Sequence, residues 1–200
     1  MTRIVALGDS ITMGMGDPAP DGGWRGWAEH LASGLPDPEL HNLAALGAQA
    51  AHVERDQLPA ALGLRPDIAS VVVGINDTLR AGFDPARTGR AAARTVAALR
   101  AGGATVLTMR LPDPGRMFGL PSGLARPLSR RMRAVNAELD KVAAAYGTLH
   151  WDAPGDPEAR RAAARSRAEE FGWPTSVAAF LAAHHALSTD SLRTLGQAQA

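Results

Sequence analysis

Short apolar runs alternate with helical patterns from the start of this 200-residue chain to about residue 150. The run Ser70-Val71-Val72-Val73 is the clearest, because a continuous β-branched stretch is typical of a strand buried on both faces. Strands that alternate with helices predict a parallel sheet with helices on both faces and right-handed crossovers. The predicted strands are Arg3–Leu7, Leu40–Ala44, Ile68–Val73, Ala104–Met109 and Thr148–Trp151.

The helical patterns between these runs have recognisable boundaries. Asp84-Pro85 predicts an N-cap followed by proline at the first helical position, and Gly102-Gly103 closes that helix. Pro59 is expected to kink or end the second predicted helix. We find no repeat and no linker, and therefore predict one domain over residues 1–200, with a divergent part from about residue 153. The predicted helices are 24–35, 48–62, 85–100, 122–146, 156–170 and 177–187.

Composition narrows the classes of function. A net charge of +1 gives no argument for nucleic acid, a membrane surface or acidic partners. The absence of cysteine excludes disulfides, thiolate metal sites and a cysteine nucleophile. The apolar stretch Ile4–Leu7 is too short for a signal peptide, and no run approaches the roughly 20 apolar residues of a spanning helix. We expect a cytoplasmic protein with no membrane span, whose oligomeric state the sequence does not indicate.

Three of the predicted strands end in residues suited to nucleophilic catalysis. Ser10 follows the first strand, where a sharp strand-to-helix turn exposes a hydroxyl and the serine N–H lies near a helix start. Gly47, after the second strand, offers a backbone N–H that a substrate can approach closely, and Asn76, after the third, offers a side-chain amide. Because parallel strands end at one edge of the sheet, these groups are candidates for an oxyanion hole beside a serine nucleophile.

These residues resemble a known family. Gly8-Asp9-Ser10-Ile11-Thr12, Asn42-Leu43-Ala44-x-x-Gly47 and Gly74-x-Asn76-Asp77 are similar to blocks I, II and III of the SGNH (GDSL-type) hydrolases, in the same order. The resemblance covers residues 1 to about 150. It implies a flavodoxin-like three-layer α/β/α fold with a five-stranded parallel sheet. It also implies hydrolysis of a carboxylic ester or thioester through an acyl-enzyme, without cofactor or metal. Ser10 is then the nucleophile, and its N–H, Gly47 and Asn76 form the oxyanion hole.

The general base of that family, in an Asp-x-x-His block, has no match here. The local echo Ser188-Thr189-Asp190-Ser191-Leu192-Arg193 has arginine in the histidine position, and arginine does not act as a base near neutral pH. His184 and His185, with Asp190, are the candidates that stay open. The alternatives are a divergent C-terminus that brings one of these histidines to Ser10, a segment out of frame with its ancestor, or loss of the base with the fold retained.

Other readings stay open beside the hydrolase. Ser10 is also a residue type that caps helices, and a silent SGNH-like binding module would keep all three blocks. An unrelated flavodoxin-like binder of small ligands is a third hypothesis. The loop from Leu111 to Pro121 is expected at the same sheet edge as Ser10, where it would shape a substrate pocket or lid. Arg126, Arg130, Arg131 and Arg133 are interpreted as a solvated helix face, with an anionic-substrate patch as the alternative.

Overall fold

Five parallel strands form a single sheet in the order β2-β1-β3-β4-β5. The structure is a computed structural model and describes residues 1–20, 22–113 and 119–151. Because β1 lies between β2 and β3, the direction of strand addition reverses beside β1. Such a reversal is the point at which open α/β sheets form their sites. The strands are β1 Thr2–Gly8, β2 Pro38–Asn42, β3 Ile68–Val72, β4 Thr105–Met109 and β5 Leu149–Trp151.

Helices connect the strands, as the alternating pattern predicts. The Asp84 side chain accepts a hydrogen bond from Ala86 N, and Gly102 caps the other end of that helix, as expected from the sequence. The helices are α1 Ser10–Met13, α2 Gly26–Ser33, α3 Ala50–His52, α4 Leu58–Leu64, α5 Ile75–Thr78, α6 Pro85–Ala101 and α7 Ser122–Tyr146. A π-helical turn, Val53–Gln57, joins α3 to α4.

The π-helical turn modifies the prediction for residues 48–62. Pro59 does not end the helix, which continues to Leu64. Proline has no N–H, so one α-helical hydrogen bond is missing wherever it stands inside a helix. The π-helical turn ends at Gln57, two residues before Pro59, so the proline lies in the first turn of α4, where its missing N–H leaves no helical hydrogen bond unmade. The predicted helices 156–170 and 177–187 lie outside the described residues.

The main core lies between one face of the sheet and helices α4, α6 and α7. Alternation along the strands directs Val5, Leu7, Val71 and Val106 to this face, where they are almost completely buried. They pack against apolar side chains of the helices, among them Ala61, Val96, Leu99, Met132, Val135 and Leu139.

Helix α2 lies on the opposite face of the sheet. Trp27 and Leu31 of this helix line a cavity of about 520 Å³ together with apolar side chains of β3, β4 and β5, including Val72, Leu107 and Leu149. With α2 on one face and α4, α6 and α7 on the other, the described residues form three layers, as the sequence predicted.

Residues 15–24 belong to a compact unit other than the one formed by residues 1–14 and 25–151. Within the described part of that unit, Pro18 and Trp24 form an antiparallel bridge and Ala19 N donates to Gly23 O. The single domain expected from the sequence stays a prediction.

Candidate active site

Ser10 is the first residue of α1, directly after the buried end of β1. Asp9 is the N-cap of this helix, and its Oδ1 accepts a hydrogen bond from Ile11 N at 3.0 Å. Gly14, in the left-handed region with φ of 89°, ends the helix after one turn. The turn therefore presents the Ser10 hydroxyl at the carboxyl end of the sheet, and the Ser10 N–H has no hydrogen-bond partner among the described residues.

The loop after β2 lies beside this turn. Asn42 donates from Nδ2 to Thr12 O at 2.9 Å, which attaches the end of β2 to α1. Gly47 has a φ of 71°, a conformation that favours glycine, and a Cβ at this position would meet no atom within 4 Å. Its N–H has no acceptor within the part of the chain that the structure describes. Gly47 thus combines a backbone N–H without an acceptor among the described residues and open space beside its Cα.

Asn76 joins the three turns. It follows Gly74, the N-cap of α5, where a Cβ would approach Val135 Cγ1 to 2.6 Å, so only glycine fits. The Asn76 Nδ2 atom donates to Asp9 Oδ2 and to Ala48 O, each at 3.1 Å. Asp9 precedes Ser10 and Ala48 follows Gly47, so the structure brings the three sequence-predicted positions together. Both amide hydrogens of Asn76 are engaged in this arrangement.

Asp77 fixes the spacing between the second and third turns. Its Oδ2 accepts a hydrogen bond from Ala50 N at 3.1 Å, and its Oδ1 accepts one from Thr88 Oγ1 at 3.0 Å. The carboxylate therefore ties the start of α3, just after the Gly47 loop, to α6. Both carboxylate oxygens of Asp77 are thus engaged in ordering these turns.

Asp9 is a buried carboxyl with an unusual pKa. It is completely excluded from solvent. Burial, reinforced by the negative charge of Asp77, raises the pKa of Asp9 to about 6 despite the hydrogen bonds that it accepts from Ile11 N and Asn76. With a pKa of about 6, the Asp9 carboxyl therefore titrates at mildly acidic pH, one residue before Ser10.

Gln57 is a residue of this region that the sequence did not reveal. Its Oε1 accepts a hydrogen bond from Gly8 N and its Nε2 donates to Gly8 O, both at 2.9 Å. We call this pair of hydrogen bonds the Gly8 clasp. In the sequence, Gln57 lies inside the predicted helix 48–62, and no local pattern distinguishes it from its neighbours.

A second clasp of the same kind holds the segment after β4. Asn136 on α7 accepts from Leu111 N through Oδ1 and donates to Leu111 O through Nδ2, both at 2.9 Å. We call it the Leu111 clasp. It fixes the start of the loop that runs from Leu111 to Pro121, of which residues 114–118 lie outside the described part.

His41, His52 and His150, three of the four described histidines, bond to groups other than Ser10 and identify no general base. His41 pairs with Glu39, and His52 accepts a hydrogen bond from Gln49 N. His150 on β5 contacts Thr108 Oγ1 at 2.8 Å and Asp140 Oδ1 at 3.2 Å, so both of its ring nitrogens are engaged. The candidates His184, His185 and Asp190 lie outside the described residues.

The arginines of α7 differ from one another. Arg126, Arg130 and Arg133 are exposed, as a solvated face requires. Arg131 instead donates from Nη1 to Thr78 O at 2.8 Å and Arg80 O at 3.1 Å, and its guanidinium lies 5.2 Å from the Phe83 ring centre. It therefore anchors the segment that follows α5 rather than facing solvent freely.

The described residues assemble no group of three or more metal-binding side chains. In the same residues, no helix combines the length and apolar character needed to cross a membrane.

Comparison with known proteins identifies a family and solved structures that this chain resembles. The sequence profile of the GDSL-like Lipase/Acylhydrolase family matches residues 6–184. This match extends beyond the region, to about residue 150, in which the motifs alone show the resemblance. A comparison with curated protein sequences found no match.

Solved structures share the fold. The crystal structure of TesA is 26% identical, covers 74% of this chain and 77% of its own, and has a TM-score of 0.59. The psychrotrophic esterase EstA from Pseudoalteromonas sp., in a structure inhibited by monoethylphosphonate, is 19% identical over 76% of this chain and 78% of its own, with a TM-score of 0.58. AlinE4, an SGNH-hydrolase family esterase, is 20% identical over 74% of each chain, with a TM-score of 0.59.

Proposed function

The chain belongs to the GDSL-like lipase/acylhydrolase family, and on that premise we propose that it cleaves a carboxylic ester or thioester through an acyl-enzyme on Ser10. Membership makes it an esterase- or lipase-type hydrolase. The observation that carries the mechanism is the pair of hydrogen bonds from Asn76 to Asp9 and Ala48, because they hold the nucleophile turn and the Gly47 loop side by side.

The proposed reaction has two balanced steps. In the first step, Ser10 Oγ attacks the substrate carbonyl carbon while a histidine accepts the hydroxyl proton. The carbon–oxygen or carbon–sulfur bond of the substrate then breaks, and the leaving alcohol or thiol takes that proton. In the second step, water attacks the acyl-serine, the same histidine accepts its proton, and the carboxylic acid leaves as Ser10 regains its hydrogen.

Three donors are proposed to stabilise the negative oxygen of the tetrahedral intermediate. The Ser10 and Gly47 N–H groups are free for this role among the described residues. Both amide hydrogens of Asn76 are now donated, one to Asp9 and one to Ala48 O. For Asn76 to act as the third donor, one of these hydrogen bonds must be shared with the substrate oxygen or replaced by a hydrogen bond to it. Such donors act strongly because they are already oriented before the charge develops.

The base is proposed to come from His184 or His185, with Asp190 as the candidate that orients it. The family match continues to residue 184, which supports a contribution from this segment. His41, His52 and His150 bond to other groups, so none of these three is the proposed base.

A fluorophosphonate probe tests the nucleophile directly, since it reacts only with an activated serine. We expect the wild-type protein to be labelled and Ser10→Ala to be unlabelled, with p-nitrophenyl acetate turnover reduced by at least about 10³-fold. Ser33→Ala, at an exposed serine in the last turn of α2, is the matched control and retains both properties. Equal labelling of Ser10→Ala and wild type would contradict the assignment.

The second candidate is a silent SGNH-like binding module. It is favoured by one observation, that His41, His52 and His150 all bond to groups other than Ser10. A wild-type protein that the probe does not label at any pH between about 5 and 9, a range that brackets histidine titration, would support this module over the hydrolase.

A further inference from the structure

Gly8, the last residue of β1, has no residue of β2 paired with it. The pairing of β1 with β2 ends at Ala6 and Asn42, two residues before Gly8. A buried backbone N–H or carbonyl without a partner is costly, so the Gly8 groups need one from elsewhere. Ala45 N donates to Gly8 O at 3.2 Å, and the Gln57 amide takes both the N–H and the carbonyl.

The Gln57 side chain is itself fixed in place. Gln57 is only 6% exposed and is the last residue of the π-helical turn. A π-helical turn inserts one residue into a helix and rotates the side chains that follow, and such turns are frequent at functional sites. In this protein the π-helical turn ends in Gln57, and the Gln57 amide is directed at the backbone of β1 rather than at solvent.

Gly8 has little freedom to move in response. A Cβ at this residue would lie 2.5 Å from Thr12 Oγ1 and 2.6 Å from Val72 O, so the chain is closely packed on both sides. Only Asp9 separates Gly8 from Ser10. A displacement of Gly8 is therefore transmitted to the turn that carries the Ser10 hydroxyl and N–H.

We propose that Gln57 is a positioning residue for the nucleophile, holding Gly8 through both of its backbone groups and thereby setting the place of Ser10. This inference rests on the proposed role of Ser10. Gln57 itself touches neither the hydroxyl nor the substrate carbonyl. It acts through the Gly8 clasp, so its loss changes reactivity rather than substrate binding.

Two variants separate the hydrogen bonds from the shape of the side chain. Gln57→Met keeps the length and removes both hydrogen bonds. We expect it to lower kcat and the rate of Ser10 modification by the fluorophosphonate by about 10- to 100-fold, because small misplacements of reacting groups have effects of this size. KM is expected to change by less than about 3-fold, since only the reactive turn is displaced.

Gln57→Glu provides a rescue that a purely structural role does not predict. The protonated carboxyl has the same shape as the amide and can again accept from Gly8 N and donate to Gly8 O. Burial raises the pKa of the introduced carboxyl, so protonation begins at mildly acidic pH. We expect the deficit in modification rate, relative to wild type at the same pH, to shrink as the pH falls.

Leu99→Ala is the control for loss of stability alone. Leu99 is 1% exposed and lies on α6, next to the start of β4 and therefore at the amino edge of the sheet. This variant is expected to lower the melting temperature while the folded protein reacts at the wild-type rate. Hydrogen exchange of the Gly8 amide, measured in Gln57→Met, reports loss of the clasp independently of catalysis.

The outcomes distinguish the two proposals. If wild type is labelled and Gln57→Met reacts at the same rate, or if Leu99→Ala is slowed as much as Gln57→Met, the positioning role is overturned and the nucleophile stands. If wild type is not labelled at Ser10, the proposed function fails and the positioning role falls with it. Slower labelling of Gln57→Met, with recovery of Gln57→Glu at low pH, supports the proposal.

Discussion

The Gly8 clasp and the Leu111 clasp have the same chemistry in two different places. Each consists of one side-chain amide that accepts from the N–H and donates to the carbonyl of a single residue, with all four distances at 2.9 Å. Asn136 belongs to the regular helix α7, whereas Gln57 belongs to a π-helical turn. Gly8 leads into the turn with Ser10, and Leu111 leads into a loop. The same hydrogen bonds thus serve local stability in one place and, we propose, reactivity in the other.

Among the substitutions that compare the two clasps, that of Gly8 is expected to have the largest effect on kcat. In Gly8→Ala the added methyl group overlaps Thr12 Oγ1 and Val72 O, so the end of β1 must move. We expect at least about 100-fold lower kcat and a free energy of unfolding reduced by about 1–3 kcal/mol, measured by steady-state kinetics and urea denaturation.

Gly63→Ala is the matched glycine control for that experiment. A Cβ at Gly63, in α4, meets no atom within 4 Å. Its kinetics are expected to equal those of wild type, with stability unchanged or slightly increased by the better helix propensity of alanine. Wild-type kcat in Gly8→Ala would show that the end of β1 tolerates displacement.

The region of the Gly8 clasp also differs from that of the Leu111 clasp because it contains the buried carboxyl of Asp9. The pKa of Asp9 is about 6 in the folded protein, above its ordinary value near 4, so the protonated carboxyl favours folding. This contribution is complete below the unfolded-state pKa and is lost as the pH rises through the folded-state pKa. Relative to Asp9→Asn, wild type should lose on the order of 2–3 kcal/mol of unfolding free energy between about pH 4 and pH 7.

Glu54→Gln supplies a control of opposite sign. A hydrogen bond from Arg94 lowers the pKa of Glu54, so its contribution to stability is present at neutral pH and is lost as the pH falls. Urea denaturation of the three proteins across this range measures both trends. A pH-independent difference between wild type and Asp9→Asn would refute the buried carboxyl as their source.

Substitution of Asn136 is expected to have the smallest effect on the reactivity of Ser10 and gives the sharpest test of the comparison. Asn136→Leu leaves Leu111 N and O without their partner, which is expected to reduce the unfolding free energy by about 1–3 kcal/mol. Because Asn136 is not attached to β1, fluorophosphonate modification of Ser10 should slow by less than about 3-fold. Slowing equal to that of Gln57→Met would show that the two clasps do not differ in kind.

Much of the fold follows from local sequence patterns. The five apolar runs predict all five strands within two residues of their observed ends, and Asp84-Pro85 predicts the start of α6. These signals are local, because burial on both faces and helix capping each leave their mark within a few residues. The candidate site follows in the same way for Ser10, Gly47 and Asn76, since each ends a predicted strand segment or the loop that follows it.

Contacts distant in sequence were not predictable by the same means. A glutamine at position 57 has no local feature that identifies Gly8 as its partner, and the contact joins residues 49 positions apart in the sequence. The hydrogen bonds from Asn76 to Asp9 and Ala48 likewise depend on how three turns meet. The base candidates His184 and His185 gave no local pattern of the family, and they lie outside the described residues.

The hydrogen bonds around Ser10 also bear on the order in which the chain folds. Gln57 lies 49 residues after Gly8, and Asn76 lies 67 residues after Asp9. Closing loops of this length loses chain entropy before any contact compensates for it, so such contacts form slowly. A nascent chain that has reached only Ser10 has none of these contacts. We therefore expect Ser10, which is synthesised well before Gln57 and Asn76, to reach its working conformation only after those later residues have folded against it.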